Sequence, residues 1–347
     1  MLDFFKNKSI FITGHTGFKG AWLCRILQHA GASITGYALE PESGAVYSDI
    51  IKSDTIKSVI NDIRDFSTLK SAFDIAAPEI VFHLAAQPLV LDAYDQPVYT
   101  FETNVQGTVN LLECVRLSES VKSVVVVTTD KVYKNDGKPQ GYIEDDILGG
   151  NEPYSASKAC AEFVTSAYLE TFLRSRGVAV STARAGNVIG GGDISKNRII
   201  PDCIRSARYG ESINIRNPKS VRPYQHVLEP LFAYLLIAEK QYENVSLSDN
   251  YNIGPNEADC ITTAEIADIY CSLWGDNQSW QHISNTDAPY ESALLKLDCS
   301  KIRSAFGWNP VWDVHTAVSK TVAWEKATYK QVETDNQIVE YLKEYSK

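Results

Sequence analysis

Tyr154 and Lys158 stand four residues apart in the run YSASK, a spacing that can support acid–base chemistry. Residues four apart share one face of an α-helix, so the lysine ammonium is expected beside the tyrosine phenol. A neighbouring positive charge lowers the pKa of a phenol and makes the phenolate usable as a base near neutral pH. A tyrosine–lysine pair alone is by default a surface pair, so its meaning depends on what accompanies it.

Two further groups accompany the pair. Thr128, Thr129 and Asp130 stand at the end of a predicted apolar strand. A hydroxyl at Thr129 can hydrogen-bond the substrate oxygen that Tyr154 deprotonates. Together with a glycine-rich turn near the start of the chain, this combination indicates redox chemistry on a hydroxyl group.

The glycine-rich turn is the segment Gly14 to Gly20, GHTGFKG, between a predicted strand and a predicted helix. Glycines allow a sharp turn, close approach of a pyrophosphate to the backbone, and tight packing of helix on strand. The helix N-terminus then offers free N–H groups and the positive end of its dipole to phosphates. A plain tight turn would also explain the glycines, but the place between strand and helix favours a dinucleotide site.

The acid that would hold a ribose 2′-hydroxyl is less clear. The second predicted strand ends at Ala38, near the usual place of an aspartate, and Glu40 either reaches the ribose or is solvated. This turn has no arginine to hold a 2′-phosphate, which favours NAD over NADP. After the third strand, Asp62 can meet the adenine ring, and Asp65 can cap the next helix; the two roles are compatible.

Short apolar runs alternate with helix-length amphipathic stretches in the first half of the chain, which is typical of a parallel α/β sheet. The predicted strands are Ser9–Thr13, Ser33–Ala38, Ile80–Leu84, Ser123–Thr129 and Ala179–Ala185. The predicted helices are Gly17–Ala30, Ser67–Ala76, Val98–Arg116 and Ser155–Arg176. The pattern predicts an α/β fold: a Rossmann-type doubly wound parallel sheet with a smaller C-terminal α/β substrate lobe.

The alternation breaks after about residue 186, and five of the six tryptophans fall in the last quarter of the chain. Together with the glycine-rich turn, this shift predicts a dinucleotide-binding domain over residues 1–187, which parts of 223–252 can complete, and a second, smaller lobe over 188–347. Near the C-terminus, apolar side chains at helical spacing indicate a final helix that is either docked or frayed.

Composition excludes several classes of function. The chain has 33 basic and 43 acidic residues and a net charge of −10, which argues against binding to nucleic acid or to a membrane surface. The seven cysteines include no CxxC pair, which indicates free thiols in a reducing compartment, with the cytoplasm expected. The six histidines do not stand at ligand spacing from them, so no metal site is predicted.

Arginine is concentrated in one region: six of the twelve arginines lie within residues 184–222. Guanidinium groups suit bidentate recognition of a pyrophosphate, so this clustering predicts an anionic substrate. Arg205 and Arg208, in a helical stretch, are the two expected at ordinary surface positions.

Seven segments in order carry a resemblance that covers almost the whole chain. They are GHTGFKG (14–20), HLAAQPLV (83–90), TTDKVY (128–133), PYSASKACAE (153–162), RAGNVIGGGD (184–193), IRNPKSVRPYQHVLEP (215–230) and LKLDCSKIRSAFGWNP (295–310). The sequence resembles the extended short-chain dehydrogenase/reductase superfamily, within it the nucleotide-sugar 4,6-dehydratases, and among these the CDP-glucose branch most closely. The runs RAGNVIGGGD and RPYQHVLEP are the most specific of the set.

The resemblance implies an internal redox cycle on a nucleotide-diphosphate hexose with NAD as cofactor. Tyr154 would be the base for oxidation at sugar C4, Lys158 would hold the nicotinamide ribose, and Thr129 would orient the C4 oxygen. Asp130 would protonate the C6 hydroxyl that leaves as water, and hydride would return to C6 to give a 4-keto-6-deoxy sugar. Many relatives carry glutamate as the C5 base where this chain has Lys131. This lysine acts as a base if its pKa is depressed, polarises the ketone, or is solvated.

The same resemblance implies the binding residues. For the cofactor they are Gly14, Thr16, Gly17, Phe18, Lys19, Gly20, Asp62, Ile63, Leu84, Ala85, Ala86, Asn104, Thr128, Tyr154 and Lys158. For the substrate they are Gln87, Asn187, Arg198, Arg216, Arg222 and His226. His226 is either a nucleotide contact or a satisfied structural histidine. Departures from near relatives at 43–46, 88–94 and Ile194 fall in segments that would face or cover the sugar.

Three functions fit these residues: a CDP-hexose 4,6-dehydratase, another enzyme of the superfamily, and a non-enzymatic dinucleotide sensor. The second class includes 4-epimerases, reductases and dehydratases of other nucleotide sugars. Asp130 favours a dehydratase over an epimerase, which needs no acid for a C6 hydroxyl, and sensors usually lack the tyrosine–lysine pair. The broad apolar faces of 98–116 and 155–176 either pair two subunits in a four-helix bundle, as in family members, or are buried within the monomer.

Overall fold

The computed structural model describes residues 1–51, 55–283 and 295–346. Within these ranges the strands are β1 (Ser9–Thr13), β2 (Ser33–Ala38), β3 (Lys57–Ile60), β4 (Ile80–His83), β5 (Ser123–Val127), β6 (Ala179–Ala185), β7 (Val188–Ile189), β8 (Ile213–Ile215), β9 (Val221–Pro223), β10 (Gln225–His226), β11 (Asn250–Ile253), β12 (Cys260–Thr262) and β13 (Trp280–His282).

The α-helices of the same ranges are α1 (Phe18–His29), α2 (Val46–Ile50), α3 (Phe66–Ala76), α4 (Val90–Asp95), α5 (Pro97–Phe101), α6 (Gly107–Leu117), α7 (Pro153–Tyr168), α8 (Ile199–Tyr209), α9 (Leu228–Glu243), α10 (Thr263–Trp274), α11 (Ser300–Phe306), α12 (Val314–Lys326) and α13 (Lys330–Tyr345). None of them is long and apolar enough to cross a membrane.

Seven strands form one parallel sheet in the order β11-β6-β5-β4-β1-β2-β3. β1 pairs with β2 on one side and with β4 on the other. The chain order therefore reverses at β1, and ligands of open α/β sheets bind at the carboxyl ends of strands beside such a reversal. The sheet confirms the predicted fold class.

Both faces of this sheet are covered by helices, which explains why β1 and β5 are almost entirely apolar and buried. Ile10 and Ile12 of β1 belong to a core cluster with α1 and α9. Phe11, which points to the opposite face, belongs to a cluster with α3, α6 and the end of the α7 segment. Packed side chains on both faces of the sheet thus hold β1 in place, and with it the edge of the sheet where a ligand is expected.

The predicted elements agree with the structure in the first half, with two differences. β1, β2 and β6 have the predicted bounds, whereas β4 and β5 end one and two residues early, at His83 and Val127. The predicted helix Val98–Arg116 is divided into α5, a π-helical segment Glu102–Gln106, and α6. The helix beginning at α7 continues through a second π-helical segment, Leu169–Leu173, before it ends.

Segments after residue 187 contribute both to a separate group of small sheets and helices and to the large parallel sheet. Three small two-stranded sheets and α8, α10 and α12 surround a third core cluster. In contrast, β11 pairs with β6 at the edge of the large sheet, and α9 packs on β5 and β6. α13 packs against α1 and α2, with Ile338 and Tyr341 buried, so the final helix is docked.

Candidate active site

In the glycine segment between β1 and α1, other backbone atoms lie so close to Gly14 and Gly20 that neither position has room for a side chain. Gly14 has a φ of +77°, and a Cβ there would lie 2.7 Å from the backbone nitrogen of Ala85. A Cβ at Gly20 would lie 2.0 Å from the carbonyl oxygen of Gly14. Gly17 precedes Phe18, the first residue of α1, and among the described residues no side chain caps this helix end. The turn therefore fits a dinucleotide pyrophosphate, which needs glycine backbone and uncapped N–H groups.

The residues predicted to meet the adenosine half of a dinucleotide follow β2 and β3. Thr16 donates its hydroxyl hydrogen bond to a backbone carbonyl just after β2, over 3.0 Å. Asp62 lies 2.8 Å from the guanidinium of Arg64, whose hydrogen bonds hold the pKa of Asp62 below its usual range. Ile63 is buried in the core, while Glu40 is exposed. Glu40 is therefore the acid available to a ribose, because Asp62 already has a cationic partner.

The loop after β4, which carries Leu84, Ala85 and Ala86, is tied to the end of β1. The backbone N–H of Leu84 donates to the carbonyl of Thr13, and that of Ala85 donates to the Thr13 hydroxyl at 3.2 Å. The same hydroxyl lies 2.7 Å from Nδ1 of His83, whose pKa is lowered to about 3 by burial. The three residues thus form the wall next to Gly14, where the predicted cofactor contacts would be made.

Asn104 lies in the first π-helical segment, and its side-chain hydrogen bonds are made within the protein. Its Oδ1 accepts from the backbone N–H of Gln87 at 2.8 Å, and its Nδ2 donates to Gln87 O and to Ser157 Oγ. Gln87 in turn donates to Thr100 Oγ1 at 3.0 Å. The buried side chains of Asn104 and Gln87 thus support the loop after β4, and their ligand contacts stay predictions.

Four predicted catalytic side chains come together at the carboxyl end of β5. Thr129 Oγ1 donates to Asp130 Oδ1 at 3.0 Å, and the Thr129 hydroxyl is hydrogen-bonded to the phenol of Tyr154. Lys158, one turn along α7, donates to the carbonyl of Val127 at 3.0 Å. All four side chains are buried, so the two sequence motifs form one centre.

Asp130 presents one oxygen that the protein does not satisfy. Its Oδ1 accepts from Thr129, whereas Oδ2 is buried and has no hydrogen-bond partner among the described residues. A Cβ at Gly186 would lie 3.3 Å from Oδ2, so a glycine keeps this side of the carboxyl group accessible. Buried polar atoms are nearly always paired, which marks Oδ2 as the atom available to a ligand hydroxyl. Lys131, the next residue, is half-buried.

The prediction of a lowered pKa for Tyr154 is wrong. Burial raises the pKa of Tyr154 to about 12, against lowering contributions from Thr129 and from the charge of Arg198. Burial also lowers the pKa of Lys158 to about 8, and the charge of Glu162 opposes that change. At pH 7 the phenol therefore holds its proton, and Arg198 is a cation that favours its release.

Lys19 adds a charge that the glycine motif did not predict. It is the second residue of α1, and its Nζ lies 3.5 Å from the hydroxyl of Tyr234. Burial lowers the pKa of Lys19 to about 7. Four charged groups also change the pKa of Lys19. Arg198 and Lys158 lower this pKa, and Asp130 and Asp193 raise it. The side chain of Lys19 thus belongs electrostatically to the catalytic centre.

The arginine-rich region separates into structural and site residues. Arg184 is buried and pairs with Glu162 at 2.9 Å, so it does not bind a ligand. Arg205 pairs with Asp202, and Arg208 pairs with the buried Glu325. These three arginines are therefore used within the protein.

The remaining arginines lie nearer the centre. Arg198 is part-buried and held by Asp193, with 3.2 Å between Nη1 and Oδ2, and its charge acts on both Tyr154 and Lys19. Arg216 follows β8 and is part-buried. Arg222 in β9 is buried and donates to a backbone carbonyl at 2.9 Å. Of the three predicted phosphate-binding arginines, Arg198 is the one that the structure links to the catalytic residues.

The other two predicted substrate residues have different environments. Asn187, just after β6, is part-buried. His226 is fully buried between Trp22 and Trp312, with ring centroids 5.9 and 4.9 Å away. Burial lowers its pKa to about 3. This placement favours a structural histidine over a nucleotide contact, one of the two roles that the sequence left open.

Four residues around the centre were missed: Glu162, Tyr133, Asp193 and Tyr234. Glu162 had a detectable signal, because it stands four residues after Lys158 on the same face of α7. Asp193 and Tyr234 reach the centre from distant parts of the chain, and no local pattern indicates them.

Comparisons with known proteins agree with this geometry. A family model for GDP-mannose 4,6 dehydratase matches residues 11–321. The chain is 45% identical over 332 residues to CDP-glucose 4,6-dehydratase of Salmonella typhimurium strain LT2, covering 94% of this chain and 92% of that protein.

Two solved structures show the same fold at low sequence identity. A dTDP-glucose 4,6-dehydratase from Bacillus anthracis, solved in complex with NAD, has a TM-score of 0.77 and 24% identity, covering 91% of this chain and 95% of that one. An epimerase from Methanothermobacter thermautotrophicus has a TM-score of 0.82 and 21% identity, covering 98% and 96%.

Proposed function

The chain belongs to the GDP-mannose 4,6-dehydratase family, and from this membership we propose that it is an NAD-dependent hydro-lyase that converts CDP-glucose to CDP-4-keto-6-deoxyglucose. The observation that carries the proposal is Asp130, whose buried, unpaired Oδ2 lies in the same centre as Tyr154 and Lys158. Oxidation of a hydroxyl needs only a base and a hydride acceptor, whereas elimination of a hydroxyl also needs an acid. The 45% identical relative supports the choice of a CDP-linked sugar.

The first half of the reaction acts on C4 of the sugar. Thr129 hydrogen-bonds the C4 oxygen, and Tyr154 takes its proton once the phenol is ionised. Burial raises the pKa of Tyr154 to about 12. Ionisation of the phenol therefore depends on Thr129 and Arg198, the two groups that lower this pKa. Bound NAD would supply the acceptor for the C4 hydride and the donor that returns it to C6, while a proton returned to C5 completes the addition across the C5–C6 double bond. The α1 N-terminus would hold its pyrophosphate and Lys158 its nicotinamide ribose.

The second half removes water across C5 and C6. The C4 ketone makes the C5 proton acidic, and Lys131, the residue after Asp130, would remove it or polarise the ketone. As the C5–H bond breaks, its electron pair forms the C5–C6 double bond and the C6–O bond breaks. Asp130 Oδ2 gives its proton to the departing hydroxyl, which leaves as water.

NAD rather than NADP fits the turn after β2. Glu40 and Glu42 are exposed there, and the turn contains no arginine. Two carboxylates repel a 2′-phosphate, so we expect NAD to bind at least tenfold more tightly than NADP, about 1.4 kcal/mol. Titration calorimetry with both dinucleotides measures the ratio, and equal affinities would contradict the assignment.

The substrate diphosphate would be held by Arg198, Arg216 and Arg222, with Asn187 beside them. Arg198 supports this role most directly, because Asp193 fixes it close to Tyr154. A guanidinium held by one carboxylate still has donors left for phosphate oxygens.

The decisive experiment incubates the protein and NAD with CDP-glucose, dTDP-glucose, UDP-glucose and GDP-mannose, and follows 4-keto-6-deoxy products for each. We expect turnover with CDP-glucose at the highest kcat/KM. A 4-epimer without loss of water would instead identify an epimerase. A 6-deoxy product formed faster from another nucleotide sugar would keep the dehydratase and change the substrate.

The subunit is proposed to form a homodimer through a four-helix bundle of the α5–α6 and α7 segments. Val98 and Phe163 on these segments are 69% and 60% exposed, and Tyr94, Phe101 and Phe172 are also exposed. Exposed apolar side chains concentrated on neighbouring helices are typical of a protein–protein interface.

The cysteines support work in a reducing compartment, for which we propose the cytoplasm. All seven lie within the described residues and are free, and four of them are buried. Thiols of this kind persist where the redox environment keeps them reduced.

A further inference from the structure

The catalytic segment from Thr129 to Val132 is short and lies beyond the end of β5, yet it must hold Asp130 in a fixed position. What holds it is a buried ion pair between Glu162 of α7 and Arg184 of β6, with side chains 2% and 1% exposed. The catalytic steps of the proposed function do not use either residue.

Glu162 fixes the first end of the segment. Its Oε1 accepts from the hydroxyl of Thr128 at 2.5 Å and from Nε of Arg184 at 3.0 Å. Its Oε2 accepts from the hydroxyl of Thr182 at 2.7 Å and from Nη2 of Arg184 at 2.9 Å. Both carboxylate oxygens are therefore fully engaged, and one of the four hydrogen bonds reaches the residue just before Thr129.

Arg184 fixes the other end. Its Nη1 donates to the hydroxyl of Tyr133 at 2.8 Å and to the carbonyl of Glu144 at 3.0 Å. The Tyr133 hydroxyl then donates to Oδ1 of Asn252 in β11 at 2.6 Å. Arg184 also lies over the ring of Tyr133, 5.1 Å from its centroid. The residue just after Val132 is thus held by the second partner of the same ion pair.

A buried ion pair is a poor way to gain stability alone, because desolvation of two charges offsets most of their attraction. Geometry explains this one better: two oppositely charged, hydrogen-bonded groups hold both ends of the six-residue stretch from Thr128 to Tyr133, whose interior carries the acid. We propose that the Glu162–Arg184 ion pair is a positioning unit for the elimination step, which aims the Asp130 carboxyl group at the leaving C6 hydroxyl. This inference rests on the proposed dehydratase function.

If the ion pair positions Asp130, weakening its hold on the segment should affect the two halves of the reaction unequally. Tyr154, the base for C4 oxidation, is carried by α7, outside the clamped segment, whereas Thr129, which orients the C4 oxygen, lies within it. Elimination uses two residues of that segment, Asp130 and Lys131. Asp130 sits between the two clamped ends. Loosening either end is therefore expected to slow elimination more than oxidation, since misplacement of a catalytic group by about 1 Å can cost on the order of 100-fold.

The test releases each end without breaking the ion pair. Thr128→Val removes one hydroxyl that reaches Glu162, and Tyr133→Phe removes the hydroxyl that accepts from Arg184. Thr182→Val is the matched control, because it removes an equivalent hydrogen bond to the same carboxylate from β6, outside the catalytic segment. Thr128→Ser restores the hydroxyl. Melting temperatures and NAD affinity by calorimetry accompany each variant.

Single-turnover measurements then separate oxidation, followed by absorbance of the reduced cofactor, from appearance of the 6-deoxy product. We expect Thr128→Val and Tyr133→Phe to slow elimination by about 10- to 100-fold and to slow oxidation by a smaller factor. The rates of Thr128→Val are compared at saturating NAD, because Thr128 is also a predicted cofactor contact. Thr128→Ser recovers elimination, and Thr182→Val keeps the wild-type ratio of the two rates. Equal loss of both rates, or the same shift in Thr182→Val, would overturn the inference while the wild type still dehydrates CDP-glucose. A wild type that forms no 6-deoxy product overturns the proposed function and this inference together.

Discussion

Asp130 and Lys19 are two residues of the centre whose side chains are each set up to interact with a bound ligand. Asp130 has one oxygen held by Thr129 and one without a hydrogen-bond partner among the described residues. Four other charged side chains act on Lys19, which has no ion-pair partner in the described part of the chain. A cation in the first turn of a helix opposes the helix dipole, so an anion bound there relieves an unfavourable arrangement.

Asp130→Asn is expected to stop elimination while leaving C4 oxidation nearly intact. Asparagine keeps the shape of the side chain but has no acidic proton, and general acid catalysis typically supplies about 10²–10⁴-fold. Reduced cofactor should appear in a single turnover while the 6-deoxy product does not. Exchange of label at C5 checks whether the ketone still forms if the oxidised sugar does not accumulate. An unaltered dehydration rate would remove Asp130 from the acid role.

Lys19 is expected to take up a proton when NAD binds. With a pKa of about 7, its amine is mostly neutral at pH 8, and a pyrophosphate at the N-terminus of α1 favours the ammonium. Calorimetry at pH 8 in buffers of different ionisation enthalpy should show an uptake of about half a proton or more. Lys19→Met should lower that uptake. The same uptake in both proteins would assign the proton elsewhere, for example to Lys158, whose pKa is about 8.

Sequence patterns predicted which residues form the centre better than they predicted the protonation and burial of those residues. The spacing of Tyr154 and Lys158 and the place of Asp130 after a strand were enough to bring them together. The pKa of Tyr154 could not be predicted in the same way, because burial outweighs the neighbouring charges. Burial of His226 between two tryptophans depends on Trp22 and Trp312, which are far apart in sequence.

The sequence predicted the bounds of strands best where the strand is buried along its length. β1 and β6 are buried along almost their whole length and were predicted to the residue. β3, an edge strand of sequence KSVI with a largely exposed pattern, gave no such signal, and the sequence placed a third strand before Asp62 without assigning its bounds. The π-helical segment 102–106 was also missed, since one extra residue per turn leaves the apolar spacing almost unchanged. That segment nevertheless places Asn104 against the loop after β4.

The exposed apolar face of α7 leads to a prediction about assembly. If the proposed dimer forms, Phe163→Glu is expected to yield a monomer, because burying an unpaired carboxylate in a helical interface is costly. Ile75→Glu is the matched control: Ile75 is 79% exposed on α3, outside the proposed bundle, and its replacement should leave the mass unchanged. Light scattering coupled to gel filtration measures both. A wild type that is already monomeric contradicts the proposal.

At the scale of the whole molecule, one buried carboxyl group joins distant segments. Glu229 of α9 accepts from the backbone N–H groups of Val311 and Trp312 and from the hydroxyl of Tyr341 on α13. Its partners stand more than eighty residues away, so no local pattern predicted the contact. The sequence left docking of the final helix open for this reason.

Glu229 also makes stability depend on pH. Burial raises its pKa to about 7, so the folded protein binds this proton more tightly than the unfolded chain, whose glutamates titrate near about 4.3. Its contribution to stability is therefore full below about pH 4 and is lost as pH rises to 7. Glu229→Gln should gain stability relative to the wild type across this window, by about 3 kcal/mol in all. Urea unfolding at several pH values measures the difference, and a difference independent of pH would contradict it.

The pairing of β11 with β6 has a consequence for how a new chain is made. More than sixty residues separate the two strands, so β6 leaves the ribosome well before the strand that completes its edge. At about 5–20 residues per second, synthesis leaves that edge of the nascent sheet bare for several seconds. A bare edge can pair with a strand of another chain, which is a route to aggregation. Chaperone binding and translation rate between residues 186 and 253 are therefore expected to set the yield of folded protein.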